Sequence, residues 1–183
     1  MRLLVAAVLV AAVAFVGFRL TGQSADERRF AAIAGDIAHR KVSIRGQSRA
    51  GELVDVDGDY GFVEFDRDGR PDDQARLDRA ICASLARLAR GESVRPEPAA
   101  LAVEALAHEA YHLARVEDEA ATQCYGLQAM RFVAARLGAS PALGHEYVRI
   151  AAARYPSLPE QYRSDQCREG GTLDRRPETG VFP

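Results

Sequence analysis

The 183-residue chain has no tryptophan, few aromatic residues (7%) and almost no excess charge, since 24 basic and 26 acidic side chains give a net charge of −2 at pH 7. Without a basic excess there is no electrostatic reason to expect binding to nucleic acid or to an anionic surface. The length fits one domain with its own hydrophobic core. Alanine and arginine recur along the chain and favour helix, so the composition predicts a helix-rich globular domain.

Charge and proline are absent from residues 3–18, between Arg2 and Arg19. This apolar run is slightly short for a hydrocarbon core of about 30 Å and longer than the usual core of a signal peptide. Residues 1–24 are therefore predicted to be either a cleaved signal peptide or an N-terminal membrane anchor, and both alternatives stay open. In either case we expect the rest of the chain to be exported, and either secreted or attached to the membrane through this segment.

Cysteine is also scarce, with Cys82, Cys124 and Cys167 alone. In an oxidising compartment an odd number predicts one disulfide and one thiol that is buried or paired with another chain. Cys167 lies in an irregular tail, residues 161–183, which a disulfide would tether. Cys82 lies on an apolar helix stripe, where a buried free cysteine is common. The preferred pair is Cys124–Cys167.

The pattern of helix signals predicts an α+β domain that is predominantly helical. Ser24-Ala-Asp-Glu27 is a capping box that begins a helix ending near His39, where a cation interacts well with the last carbonyls. Further helices are predicted from apolar spacing and caps. They cover about 72–90, from near 98 to a break at 116–118, 119–137 and 141–154.

A small antiparallel β-sheet of about three strands is predicted to pack on the helices. Residues 41–45, 51–56 and 60–65 are short runs in which apolar and polar residues alternate or β-branched residues occur, as is typical of strands. The dipeptide Asp57-Gly58 between the last two is a strong hairpin signal. A bound peptide could add to this hairpin, residues 53–65, as an extra strand.

The sequence His108-Glu109-Ala110-Tyr111-His112 is an H-E-x-x-H pattern inside a helix-forming segment. Residues four apart on a helix share a face, so both imidazoles can reach one metal ion. Glu109 is turned about 100° around the axis from His108, which places its carboxylate beside the metal, where a base takes a proton from a bound water. The pattern predicts His108 and His112 as metal ligands and Glu109 as the catalytic base.

A catalytic site of this kind needs a third protein ligand and an open position for water. The acids Glu117, Asp118 and Glu119 follow directly. Glu119 begins the next predicted helix, and the small Ala120 and Ala121 would let the two helices approach closely. Asp118 and Glu119 both stay open as the third ligand, with Glu119 preferred.

Residues 108–128 resemble the core of a zincin-type metallopeptidase domain. The likeness is closer to gluzincins, in which a glutamate at the start of a second helix completes the site, although the gap from His112 to Glu119 is shorter than is common there. In metzincins the third ligand would correspond to Asp118, but a glycine is expected where this chain has Arg115. The chain is also similar to exported bacterial H-E-x-x-H proteins with a Cys-x-x-Gly-Gly tail, as at residues 167–171.

The resemblance implies a zincin-like domain over residues 25–160, Zn²⁺ as the cofactor and a peptide or protein as the substrate. It implies a zinc-dependent metallopeptidase of the cell envelope. The alternative is a catalytically inactive exported binding or structural module that keeps a zincin-like fold. An oxyanion donor would also be needed. His145 and Tyr147 are singled out because they follow two helices later and can fold back over the site. The wider pool comprises Tyr111, Tyr125, Tyr155 and Tyr162.

Overall fold

The structure, a computed structural model, describes residues 23–47, 60–176 and 182. The elements in these ranges are α1 (Ala25–Ala38), β1 (Ser43–Gly46), β2 (Gly61–Phe65), β3 (Pro71–Leu77), α2 (Arg79–Ala89), α3 (Pro96–Leu113), α4 (Glu119–Leu137), α5 (Pro141–Arg154) and two 3₁₀ turns, Tyr155–Ser157 and Glu160–Tyr162. The predicted α+β, predominantly helical class is confirmed. The predicted N-terminal segment, the strand at 51–56 and the Asp57-Gly58 turn lie outside the described residues.

None of the helices in the described part of the chain combines the length and the apolar character needed to cross a lipid bilayer.

Side-chain caps set the starts of α1, α4 and α5, as the sequence predicts. Ser24 caps α1 in a reciprocal capping box with Glu27. Asp118 caps α4 by accepting from the Ala121 N–H, and Ser140 caps α5. Each cap satisfies an N–H that the first helical turn leaves without a partner.

Helix α3 is the central element of the fold. It packs against α1, α2, α4, α5, β2 and β3. Most of its residues are buried, including the H-E-x-x-H side chains His108, Glu109 and His112. A helix that is buried nearly all round must be apolar or have its polar groups paired. The polar residues on α3 therefore need partners from the elements around it.

The sheet is mixed, whereas the sequence predicted an antiparallel one. Its order is β1-β3-β2, with β2 antiparallel and β1 parallel to β3. Ile44 of β1 and Val63 of β2 both lie opposite Ala75 of β3. All three side chains belong to the core that packs on α3. The antiparallel prediction thus holds for the β2–β3 pair alone.

The helix predicted for residues 72–90 was wrong in its first part, because residues 71–77 form β3. Helix α2 begins only after Asp78, whose side chain accepts from the N–H groups of Ala80 and Ile81. Leu77 has the helical spacing of four to Ile81, but it also alternates with Ala75, and Ala75 and Leu77 are fully buried on the sheet. Apolar spacing alone cannot separate a strand that leads straight into a helix from one longer helix.

The predicted disulfide Cys124–Cys167 is confirmed, and Cys82 is a free, half-buried thiol. Beside the disulfide, Gln128 of α4 donates from Nε2 to the carbonyl of Leu173 and accepts from the N–H of Arg175. These contacts tether residues 163–176, which contain no helix or strand, to the outer side of α4.

Candidate metal centre

A cleft of about 550 Å³ lies over α3 and contains the H-E-x-x-H side chains. One wall is α3 itself, a second is β2, and a third is the start of α4. The segment after α5 forms the fourth. The lining residues are Tyr60, Gly61, Phe62, Val63, Phe65, Leu101, Glu104, Ala105, His108, Glu109, His112, Glu117, Glu119, Gln123, Arg154, Ser157, Leu158, Pro159 and Tyr162.

Three side chains converge at the centre of this cleft. Oε2 of Glu119 lies 3.1 Å from Nε2 of His108 and 3.3 Å from Nε2 of His112. The two histidines are one helical turn apart on α3, and Glu119 is the first residue of α4. Ligand atoms of all three residues lie within 4.8 Å of one another, so the cluster could hold a metal ion.

The tautomer of His108 follows from a hydrogen-bond chain behind it. Gln123 donates from Nε2 to the buried carboxylate of Glu104, so its Oε1 is the atom that faces His108. This oxygen lies 2.9 Å from Nδ1 of His108 and can only accept, so Nδ1 carries the proton. Nε2 of His108 is then the ring atom that faces the cluster, and it presents a lone pair there when the imidazole is neutral.

His112 is held in the same tautomer by the backbone. Its Nδ1 donates to the carbonyl of Val116 at 2.7 Å, and its Nε2 faces Glu119. The ring of Phe65 packs edge-on against it, with the centroids 5.6 Å apart. Hydrogen bonds to the far ring nitrogen orient metal-binding histidines in this way and raise the basicity of the other nitrogen.

The centre is arranged to hold positive charge. Burial raises the pKa of Glu119, but hydrogen bonds with His108 and His112 outweigh this effect and lower the pKa to about 2. Burial lowers the pKa of His112, and the hydrogen bond with Glu119 and the charge of Glu109 reverse this, so the pKa ends above its usual value. The nitrogen lone pairs of two neutral imidazoles repel a carboxylate that faces them, unless a proton or a metal ion lies between the nitrogens and the carboxylate.

Two of the three separations between these ligand atoms are short enough for the atoms to bind one shared metal ion. Bonds of about 2.0–2.1 Å in a tetrahedral arrangement place neighbouring ligand atoms roughly 3.3 Å apart. The two separations from Oε2 of Glu119, 3.1 and 3.3 Å, agree with this value. Two imidazoles and one carboxylate also form one of the ligand sets of catalytic zinc.

Glu109 lies beside the three converging side chains, 3% exposed and lining the same cleft. Its Oε1 packs against Gly61 at the start of β2, so closely that a Cβ on Gly61 would lie 2.9 Å from it. A glycine is needed at this position, because a Cβ would also lie 2.9 Å from the backbone carbonyl of Arg76. Strand β2 thus fixes the carboxylate of Glu109 against the cleft wall.

The chain turns sharply between the two site helices. Arg115 adopts a left-handed conformation, with φ of 71°, three residues after His112. Arginine thus adopts a backbone conformation that glycine would adopt without strain, at a cost of about 1–2 kcal/mol. Asp118 then caps α4, and Glu119, one residue further on, faces the histidines. Of the two predicted candidates, the structure brings Glu119 to the cluster and places Asp118 at the helix cap.

Helices α3 and α4 approach each other closely at His108. A Cβ on Gly126 would lie 3.3 Å from the backbone nitrogen of His108 and 3.4 Å from its Cα. Ala120 and Ala121, which the sequence suggested for this role, are only partly buried. Gly126 follows Gln123 by three residues on α4, so the close approach and the hydrogen bond to His108 lie on the same helix face.

The structure does not bring the other predicted groups to the cleft. His145 is exposed on α5, and Tyr147 is buried in the core, 2% exposed. The hydroxyl of Tyr155 accepts from the N–H of Ser164. Tyr111 and Tyr125 pack against each other away from the cleft.

Tyr162 is the one tyrosine of the predicted pool that lines the cleft, and its ring centroid lies 6.0 Å from that of His108.

Sequence reasoning missed the roles of Gln123 and Arg154. Gln123 is four residues after Glu119, and this spacing places both on one face of α4, so a signal for it was present. Arg154 binds the carboxylate of Glu104 from the end of α5. Nothing in the sequence linked it to a residue fifty positions earlier. Glu104, one helical turn before His108, is linked to it through Gln123.

No protein family, curated protein or solved structure matches the chain.

Proposed function

We propose that this protein is a zinc-dependent metallopeptidase of the cell envelope. The observation that carries the proposal is the convergence of Glu119 Oε2 on Nε2 of His108 and His112 at 3.1 and 3.3 Å, beside a buried Glu109. In both histidines Nδ1 is hydrogen-bonded to an acceptor, which leaves Nε2 available to bind a metal.

His108, His112 and Glu119 are the proposed zinc ligands. A bound zinc ion would lower the pKa of a water to about 7 and polarise a carbonyl. Iron(II) also accepts two histidines and one carboxylate, and metal analysis of the purified protein separates the two ions.

Glu109 is the proposed general base. Its carboxylate lines the cleft next to the metal ligands and is held in place by Gly61. It takes a proton from the attacking water and passes it to the amine nitrogen that leaves when the C–N bond breaks. Tyr162 is the proposed hydrogen-bond donor to the carbonyl oxygen, in place of His145 and Tyr147, because it lines the cleft and they do not.

The proposed substrate is a peptide bound along β2. This strand is paired on one side with β3 and lies at the edge of the sheet within the described residues. Gly61, Phe62, Val63 and Phe65 of β2 line the cleft. An extended peptide beside an edge strand gains backbone hydrogen bonds without strict side-chain selection.

The disulfide supports export, because disulfides form and persist mainly outside the reducing cytosol. Together with the apolar run at residues 3–18, it supports a secreted or membrane-anchored location.

The test compares the purified full-length protein with its Glu109→Gln variant. We expect about one zinc per chain in both proteins and cleavage of a mixed peptide library by the wild type alone. Zinc without cleavage by the wild type would favour the inactive binding module, and a chain without zinc or iron would contradict the metal site itself.

A further inference from the structure

We propose that Arg154 binds the terminal carboxylate of the peptide substrate, so that the protein removes residues from the carboxyl end of peptides. The inference rests on the proposed function and specifies its substrate class. Water adds to the carbonyl carbon of a bond near the chain end, the C–N bond breaks, and the amine nitrogen takes the proton. The products are a shortened peptide and a free amino acid or dipeptide.

Arg154 is fixed by a buried acid. Its Nη2 donates to Oε2 of Glu104, whose side chain is 5% exposed. Burial raises the pKa of Glu104, and the charge of Arg154 and the hydrogen bond from Gln123 oppose this shift. An ion pair anchored on its buried side holds the guanidinium in one orientation, which lowers the entropy lost when a ligand binds it.

The other donors of Arg154 are open to the cleft. The side chain is 36% exposed and lines the cleft. Within the described part of the chain, Nε and Nη1 have no hydrogen-bond partner, whereas Nη2 is bound to Glu104. Because Nη2 carries two N–H groups, the one that Glu104 does not take lies parallel to an N–H of Nε or Nη1, and this pair matches a carboxylate in two-point geometry.

Arg154 is also the one lysine or arginine among the described residues that line the cleft. The remaining charged lining consists of four glutamates: Glu104, Glu109, Glu117 and Glu119. A single fixed cation in such a cleft marks where a negative group of a ligand is favoured, since the four carboxylates of the wall repel it.

The position of this cation sets the length of the leaving fragment. Glu104 precedes His108 by one helical turn on α3, a rise of about 6 Å. The chain His108–Gln123–Glu104–Arg154 leads from the metal ligands to the guanidinium. An extended peptide advances about 3.3 Å per residue, so a carboxylate on Arg154 places the bond to be cleaved one or two residues from the chain end.

The walls around Arg154 select an apolar terminal side chain. Leu101 and Ala105 flank Glu104 on α3, and Leu158 and Pro159 follow Arg154 along the chain; all four line the cleft. A leucine or phenylalanine at the end of the peptide would bury its side chain there while its carboxylate binds the guanidinium.

The test measures binding without turnover. Full-length Glu109→Gln protein, loaded with zinc, is titrated calorimetrically with an N-acetylated alanine pentapeptide that ends in leucine, once as the free acid and once as the amide. We expect the acid to bind roughly 10- to 100-fold more tightly, the range for a charge-assisted hydrogen bond of about 1.5–3 kcal/mol.

Variants identify the group responsible. Arg154→Met in the same background should abolish the preference for the acid, and Arg149→Met, at an exposed position on the same helix, should keep it. Because Arg154→Met leaves Glu104 buried without its cation, Glu104→Gln/Arg154→Met is measured as well and should also lose the preference.

Equal binding of acid and amide, or no binding of either peptide, would overturn the inference. A preference that survives Arg154→Met and disappears when zinc is removed would place the carboxylate on the metal and also overturn it.

The proposed function is tested separately from this inference. Cleavage of internal bonds or of amidated peptides by the wild type would keep it while overturning this inference. A preference that depends on Arg154 in a protein that cleaves nothing would keep the carboxylate-binding site and overturn the proposed function, and with it the cleavage at the carboxyl end.

Discussion

Gln123 accepts a hydrogen bond from Nδ1 of His108 at 2.9 Å, and this contact sets the direction of the lone pair on the other ring nitrogen. Gln123 can play this part because its amide nitrogen is already committed to Glu104. The buried carboxylate of Glu104 thus determines, through Gln123, which atom of His108 faces Glu119.

Replacing Gln123 should therefore weaken metal binding without removing a ligand. Gln123→Leu keeps the apolar bulk but leaves Nδ1 of His108 without its acceptor. We expect zinc affinity to fall about 10- to 100-fold, the usual effect of losing such a partner. Competition with a chromophoric chelator measures the change.

The matched control for this variant is Gln128→Leu. Gln128 is also buried on α4, but it bonds to the tail at Leu173 and Arg175. This control should lower stability and leave zinc affinity unchanged. Equal affinities in the two variants would show that Gln123 has no special effect on the metal.

The two acids that follow the H-E-x-x-H helix should behave differently when replaced. Glu119→Gln removes the carboxylate that faces both histidines, so we expect the protein to lose its metal on dialysis. Asp118→Ala removes the cap of α4 and should cost about 0.5–2 kcal/mol of stability with full metal content. Metal analysis and thermal unfolding of both variants test this, and metal loss from Asp118→Ala alone would reverse the ligand assignment.

Gly61 should be needed for activity although it carries no chemical group. A Cβ there would lie 2.8–2.9 Å from Cδ2 of Leu77, the carbonyl of Arg76 and Oε1 of Glu109. In Gly61→Ala the Glu109 carboxylate has to move, and a shift of this kind can lower kcat/KM by tenfold or more while the metal stays bound.

The control for Gly61→Ala is Gly144→Ala on α5, where a Cβ would meet nothing closer than 3.8 Å. This helical position should gain about 0.5–1 kcal/mol of stability with unchanged activity. Full activity in Gly61→Ala would argue that Glu109 does not act as the base.

Features set by local spacing could be predicted from the sequence. The helical phase of His108, Glu109 and His112 and the start of α4 at Glu119 depend only on helix geometry and a cap. The disulfide partner of Cys124 could be chosen because Cys82 fits an apolar stripe. These predictions needed no knowledge of how distant segments pack.

Features set by tertiary packing could not be predicted in the same way. Residues 71–77 have apolar positions that suit a strand and a helix equally, and pairing with β1 and β2 decides between them. Arg154 reaches Glu104 only because α5 packs on α3. His145 and Tyr147 were chosen by their distance along the chain, and the packed face of α5 directs one to solvent and the other to the core.

Removing the disulfide should loosen the side of the cleft that carries Tyr162. The Cys124–Cys167 bond closes a loop of 43 residues, and losing such a cross-link costs about 2–4 kcal/mol. In Cys124→Ala/Cys167→Ala we expect a lower Tm and faster hydrogen exchange in residues 155–176, with α3 still protected. Exchange that accelerates equally throughout the chain would instead indicate that the bond supports the whole domain.

The Cys82 thiol should resist alkylation in the native protein and affect stability at high pH. Burial, followed by the charges of Glu27 and Asp78, raises its pKa from 9.0 to about 12. Since the folded pKa lies above the unfolded one, the stabilising contribution is complete below pH 9 and is lost as the pH rises from 9 towards 12. At pH 8 the fraction of Cys82 present as thiolate is roughly a thousandfold smaller in the native protein than in the unfolded chain. Iodoacetamide should therefore label Cys82 at least about a hundredfold more slowly in the native protein than in denaturant. Cys82→Ser should show a shallower loss of stability above pH 9. Rapid labelling of the native protein would contradict the packing of this α2 thiol against Gly46 of β1 and Leu77 of β3.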